Sequence, residues 1–270
     1  MCIRTVYFHY ARARLELNMS PTPFQIEHGF WYYDPGNDFP PGPTTFPEEY
    51  RGNERLNLIC TQLDVSPYHQ KKITEAWCEL LPQLSGVRTL WFNSRVSQPL
   101  FEAACKMKNL EGLYVKWSGI KSIASISKLK KLKYLSIGSS AQVESIEPLR
   151  QMTELQVLVI ENFKQIRRLD PVVELTKLEF LSICGSTWTE QVVERLAPLR
   201  TLTNLKYLNL VALRSLDKSL RPVGDLKSLV TLRTSWQWTV REFEYLRDNL
   251  PSLRYGNPLD AEGILTLANR

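Results

Sequence analysis

The stretch LKKLKYLSI, residues 129–137, decides the fold, because its spacing returns three more times with little change. MTELQVLVI spans 152–160, LTKLEFLSI 175–183 and LTNLKYLNL 202–210. In the first copy the apolar positions are Leu129, Leu132, Leu135 and Ile137. Working outward, weaker copies sit at Leu84, Val87, Leu90, Phe92 and at Met107, Leu110, Leu113, Val115. Another lies at Leu226, Leu229, Leu232, Thr234, and a fragment at Leu250 and Leu253 ends at Tyr255-Gly256. The second apolar position falls at 87, 110, 132, 155, 178, 205, 229 and 253, giving intervals of 23, 22, 23, 23, 27, 24 and 24 residues. A period held this long marks a solenoid, in which each unit buries its apolar edges against its neighbours.

Within each L-x-I the apolar residues alternate, the period of a short strand with one face buried. Strands are therefore expected near residues 91, 114, 136, 159, 182, 209 and 233, stacked as one parallel sheet. A second apolar run follows several strands at a spacing of three: Ile120, Ile123, Ile126; Val143, Ile146, Leu149; Ile166, Leu169, Val172. That spacing suits 3₁₀ turns better than α-helix. Two longer repeats predict full helices, at Thr189 to Leu199 and at Thr239 to Leu250, each behind a threonine cap.

These segments, in particular VESIEPLRQMTELQVLVI and IRRLDPVVELTKLEFLSI, resemble the leucine-rich-repeat family. The likeness is greatest to the class with repeats of about 22 residues, found in a eukaryotic phosphatase regulator and in bacterial internalins. It implies an α/β solenoid: a horseshoe with one curved parallel sheet on the concave face, a helical and 3₁₀ convex side, and an N-terminal cap. The asparagine that usually follows the strand is missing. Ser118, Ser140, Phe163, Ser186, Leu213 and Gln237 stand in its place, so an asparagine ladder cannot run through this solenoid.

Four regions are expected: an N-terminal hairpin and Pro-rich segment over 1–64, a capping helix over 65–83, seven to eight repeats over 84–256, and a tail over 257–270. Alternation on either side of Ser20-Pro21 suggests the hairpin. Five prolines and two glycines between Asp34 and Tyr50 read as an ordered loop or linker, with a polyproline ligand for an SH3-like or WW-like domain as the alternative. As a linker, residues 40–47 should be removable without loss of the fold. From Ser66-Pro67 a helix to Leu81 would cover the first repeat through Trp77 and Leu81.

The net charge of +6 is mild and does not by itself point to nucleic acid. Lys128, Lys130, Lys131 and Lys133 read as a solvated edge. Cys2, Cys60, Cys78, Cys105 and Cys184 are dispersed without a CxxC pair, as in a reduced cytoplasmic protein. The first residues are broken by Arg4 and His9, unlike a secretory signal, and no segment has the run of about 18 apolar residues that a membrane helix needs. His9, His28 and His69 stand outside any metal or nucleophile spacing, Glu48-Glu49 is an ordinary surface pair, and neither phosphate-binding loop motif occurs. The expectation is a protein that is not an enzyme and needs no cofactor.

What remains is the concave face. Alternation points Trp91, Tyr114, Tyr134, Phe180, Tyr207 and Arg233 outward from successive strands, with Trp236 just beyond the last. Tyr, Trp and Arg are the residues that carry most of the energy of protein interfaces. The expected partner is therefore another protein, held on this face, with neither nucleic acid nor membrane involved. Compact leucine-rich-repeat proteins with an added N-terminal element also resemble bacterial immunity proteins that neutralise a cognate toxin. A phosphatase-regulator-like scaffold, and behind it a nucleic-acid binder, are the alternatives.

Overall fold

The computed structural model describes residues 21–235 and 237–260. The chain enters through α1 (Pro23–Glu27), follows an irregular path, and forms β1 (Arg55–Leu58) and α2 (Pro67–Leu80). Then come β2 (Thr89–Phe92), α3 (Gln98–Ala104), β3 (Gly112–Val115), β4 (Tyr134–Ile137), β5 (Val157–Glu161) and β6 (Phe180–Cys184). The C-terminal part holds β7 (Gln191–Val193), β8 (Tyr207–Leu210), β9 (Leu213–Ser215), β10 (Thr231–Thr234), α4 (Val240–Asn249) and β11 (Tyr255–Gly256).

Nine strands make one parallel sheet in the order β1-β2-β3-β4-β5-β6-β8-β10-β11. All seven strands expected from the repeat are present at their places. The register explains why. Leu90, Leu113, Leu135, Leu158 and Leu181 pair in line across β2 to β6 and point into the core, as do Phe92, Val115, Ile137, Ile160 and Ile183. A slip of one residue would put every leucine on the wrong face, so the alternation pins the stack.

Behind the sheet, 3₁₀ turns at Ala124–Lys128, Glu147–Gln151, Asp170–Glu174, Ala197–Thr201 and Arg221–Asp225 form the convex side, as the spacing of three predicted. Proline opens the last four of these turns, where its fixed φ fits and its missing N–H costs nothing. The helix expected over Thr239 to Leu250 is α4, with Thr239 as its N-cap.

Several expectations are corrected. Thr189 to Leu199 is not helical: Gln191–Val193 is a strand that pairs with β9 in a small second sheet, and Ala197–Thr201 is a 3₁₀ turn. β-branched Val192-Val193 favours the strand, and Pro198 would have broken a helix. The hairpin around Ser20-Pro21 is absent from the described part, where Pro23–Glu27 is a helix closed by a reciprocal Thr22/Gln25 capping box; residues 1–20 lie outside the described residues. The sheet also begins a repeat earlier than expected, at β1, which pairs parallel to β2. Tyr50, Asn53, Leu56 and Leu58 keep the motif's spacing, but a polar residue at the second position hid it.

In consequence α2, with Ser66 as its N-cap, is the connection from β1 to β2 and does not close a free end. Its Trp77 is buried and donates its indole N–H to the Thr45 carbonyl at 2.8 Å. The free edge of β1 is covered by the Pro-rich segment. Thr44 donates to the Asn57 carbonyl and accepts from the Ile59 amide, and Asn57 Nδ2 donates to the Pro41 carbonyl. Prolines suit an edge because they offer no further N–H for another strand to join. Residues 41–45 are thus bonded to the edge of the sheet and to Trp77, where a solvated linker was expected.

Candidate functional site on the concave face

The outward side chains fall into two rows. One runs Thr89, Gly112, Tyr134, Val157, Phe180, Tyr207 and Thr231. The other runs Asn57, Trp91, Tyr114, Ser136, Val159, Ser182, Asn209 and Arg233. Trp91, Tyr114, Tyr134, Phe180, Tyr207 and Arg233 therefore do share one face, but they do not share one environment.

Trp91 is 2% exposed and Tyr134 6%. Both lie under a strap formed by residues 22–39 of the same chain, whose Ile26, Phe30 and Phe39 are themselves buried. Phe30 stacks on Tyr134 with ring centroids 3.8 Å apart. Trp31 stands 5.5 Å from Trp91 and from Tyr114, and Phe39 meets Trp91 edge-on at 4.9 Å. Together with Val157 these rings make a second small core on the outside of the sheet. Two glycines create the fit. A Cβ on Gly112 would come within 3.1 Å of Trp31, and one on Gly29, whose φ is +65°, within 3.0 Å of Phe180. The expectation of outward-facing, accessible Trp91 and Tyr134 is thus overturned by a segment that the repeat says nothing about.

The described part of the strap reaches as far as β6, where Gly29 meets Phe180. Phe180 and Tyr207 remain partly exposed, 6.4 Å apart, and Arg233 is exposed on β10. Tyr114 is partly exposed at the strap margin, and Trp236 lies outside the described residues. Electrostatics follow the same division. Burial pushes the phenol of Tyr134 far above its ordinary range, and the carboxylates of Glu111 and Glu179 push the same way. Burial also raises Tyr207, with Glu27 of the strap as the next cause. At the end of β5 the Glu161 carboxyl is likewise raised by burial.

Where the asparagine ladder would run, a mixed hydroxyl and amide ladder takes over. Ser118 and Ser140 hydroxyls are 2.6 Å apart, Asn162 Nδ2 donates to Ser139 Oγ at 2.9 Å, and Thr189 Oγ1 donates to Asn162 Oδ1 at 3.0 Å. Ser235 Oγ accepts from the Ala212 amide at 2.6 Å. These bonds satisfy the loop groups between repeats that would otherwise be buried unpaired.

Groups suited to chemistry are sparse. Among the described residues no cluster of His, Cys, Asp or Glu has the makings of a metal site, and no helix is long and apolar enough to cross a membrane. Burial drives the Cys60 thiol up to about 12 and Cys105 higher still, which disfavours the thiolate form that nucleophilic chemistry needs. Of the lysine cluster, Lys131 bonds Asn109 and Lys133 pairs with Glu111 at 3.1 Å, along the edge where the strands begin.

The strap residues Ile26, Phe30, Trp31 and Phe39 are the functional neighbours that sequence reasoning missed. Their signal was the aromatic density of FQIEHGFWYYDPGNDF, residues 24–39, which is too apolar for a solvated hairpin.

The fold is a leucine-rich-repeat solenoid of the kind seen in internalins. No protein-family model matches the chain, and no curated protein matches it significantly. Among solved structures it resembles internalin C2 from Listeria monocytogenes, with a TM-score of 0.52 and 22% identity over 66% of this chain and 73% of that one. It is similar also to a leucine-rich-repeat protein of Leptospira interrogans, with a TM-score of 0.52 and 20% identity over 75% of this chain and 55% of that one.

Proposed function

We propose that this chain is a non-catalytic protein-binding module that holds its partner on the open, C-terminal part of the concave face. One observation carries the reading: Arg233 is exposed and Phe180 and Tyr207 are partly exposed on β6, β8 and β10, while the strap buries Trp91 and Tyr134 before them. Rings on a rigid sheet make good anchors because little side-chain freedom is lost on binding, and arginine is enriched with them where interface energy concentrates. The mixed charges of Glu27, Glu161 and Arg233 suit a protein surface better than a polyphosphate. Unpaired thiols at Cys60, Cys78 and Cys105 agree with a reducing, cytoplasmic setting.

The test is a paired measurement on Tyr207→Ala and Arg233→Ala. Each should keep its thermal midpoint within a few degrees and weaken the partner captured by the wild-type chain by about 2 kcal/mol, roughly thirtyfold. Wild-type affinity in both variants would move the site off this surface. A narrower form of the reading, an immunity protein neutralising a cognate toxin, rests on the compact solenoid with its added N-terminal element. It requires that the captured partner arrest growth, and that co-expression of this chain, but not of Tyr207→Ala, relieve the arrest. The strap, which occupies much of the face, weighs against the phosphatase-regulator-like scaffold.

A further inference from the structure

Phe30 and Trp31 sit on the sheet as a ligand would, and three features mark them as an imperfect occupant. Phe30 has a φ of +66°, a left-handed conformation that costs a bulky residue energy and persists only where the surroundings enforce it. The indole Nε1 of Trp31 is buried with no hydrogen-bond partner among the described residues, although buried donors are nearly always paired. Finally, the strap's backbone does not join the sheet. The bonds of Ile26, His28, Gly29, Phe30, Asp34, Asn37, Asp38 and Phe39 amides all close within residues 22–39. Among the described residues the one hydrogen bond from the sheet to this stretch is Arg55 Nη1 to the Asn37 carbonyl at 3.2 Å. By contrast, Thr44 is tied to β1 by two backbone bonds. The shelf beneath belongs to the sheet: Trp91, Tyr114 and Tyr134 are carried on strands whose alternate residues are locked in the main core, and Gly112 leaves the space that the rings fill.

We propose that the N-terminal half of the concave face is a second docking site, for a protein segment bearing two adjacent aromatic side chains. The strap occupies it until such a segment takes the places of Phe30 and Trp31. The incoming pair meets the same shelf without having to adopt the left-handed bend, and is free to offer its polar edge to a bonded partner. This site lies on β2 to β4, beside the surface of Phe180, Tyr207 and Arg233 on β6, β8 and β10, and its test reads the strap alone, without the partner of the function proposed above.

The experiment uses the whole chain carrying Phe30→Ala and Trp31→Ala, with a fluorescein-labelled synthetic peptide copying residues 24–39 as the probe. Fluorescence anisotropy should show the variant binding the peptide at least tenfold more tightly than the wild type, whose own strap competes at an effective concentration on the order of millimolar. A peptide with alanine at the two aromatic places should bind the variant at least tenfold more weakly. Equal binding by wild type and variant, no binding by a variant that circular dichroism shows to be folded, or indifference to the two rings would each overturn the proposal. If the double variant does not fold, the wild-type chain decides. A large excess of unlabelled peptide should speed chymotryptic cleavage within residues 24–39, and an unchanged cleavage rate would show that the strap is a fixed part of the fold.

Discussion

Strands β2 to β4 and strands β6, β8 and β10 offer the same alternation to the concave side, yet Trp91 is 2% exposed while Arg233, at the equivalent register position, is exposed. The repeat builds both halves by one rule, and the difference between them comes from outside the repeat. The strap leads through the Pro-rich edge cover into β1, so its reach from that end places it over the nearest strands. There it finds large rings flanking Gly112, a shape that accepts Phe30 and Trp31. Farther along, Ser136, Val159, Ser182 and Asn209 carry no rings in the row that begins with Trp91 and Tyr114. On a solenoid, the accessible part of the binding face is thus chosen by flanking chain as much as by the repeats.

The largest expected effect is common to both halves and sets the scale. Leu158→Ala and Leu181→Ala each remove a fully buried side chain from the main core and should cost about 2–5 kcal/mol in chemical denaturation. Losses below ~0.5 kcal/mol would mean that the inward ladder does not hold the stack. Next comes the direct contrast between halves. Trp91→Ala should cost about 3–5 kcal/mol, because the indole is enclosed between sheet and strap, whereas Tyr207→Ala should stay within about 1 kcal/mol. Equal costs would erase the distinction between a covered and an open half.

Alkaline titration probes the same contrast with a smaller effect. The Tyr134 phenol is raised in the folded chain, so above its ordinary value near 10.0 the unfolded chain loses a proton that the folded chain keeps. Stability from this group is fully present below that pH and falls as pH rises beyond it. Tyr134→Phe should remove up to about 1 kcal/mol of the alkaline loss by pH ~11. Tyr207→Phe should remove less, since its ring is more open. Superimposable pH profiles for wild type and Tyr134→Phe would show that solvent reaches beneath the strap.

Much of this molecule is legible in its residue spacings. The spacing of three in Ile120, Ile123, Ile126 announces the 3₁₀ convex side, because eclipsed side chains must recur at that period to reach one core. The L-x-I alternation announces each strand, because Cβ atoms alternate whatever the surroundings. Thr189 to Leu199 misleads, since its apolar spacing fits a helix and a strand-plus-turn alike until Leu213–Ser215 arrives as a partner. β1 is hidden for a similar reason: a lone Leu56-x-Leu58 becomes a strand only beside β2.

By itself, then, the sequence determined the repeat, its register and the residues of both faces, because these depend on spacings of a few residues and on burial between neighbouring units. Only the tertiary structure decided which part of the outward face is open. That depends on contacts such as Phe30 on Tyr134 and Gly29 under Phe180, between residues about 100 to 150 positions apart, which no local period encodes.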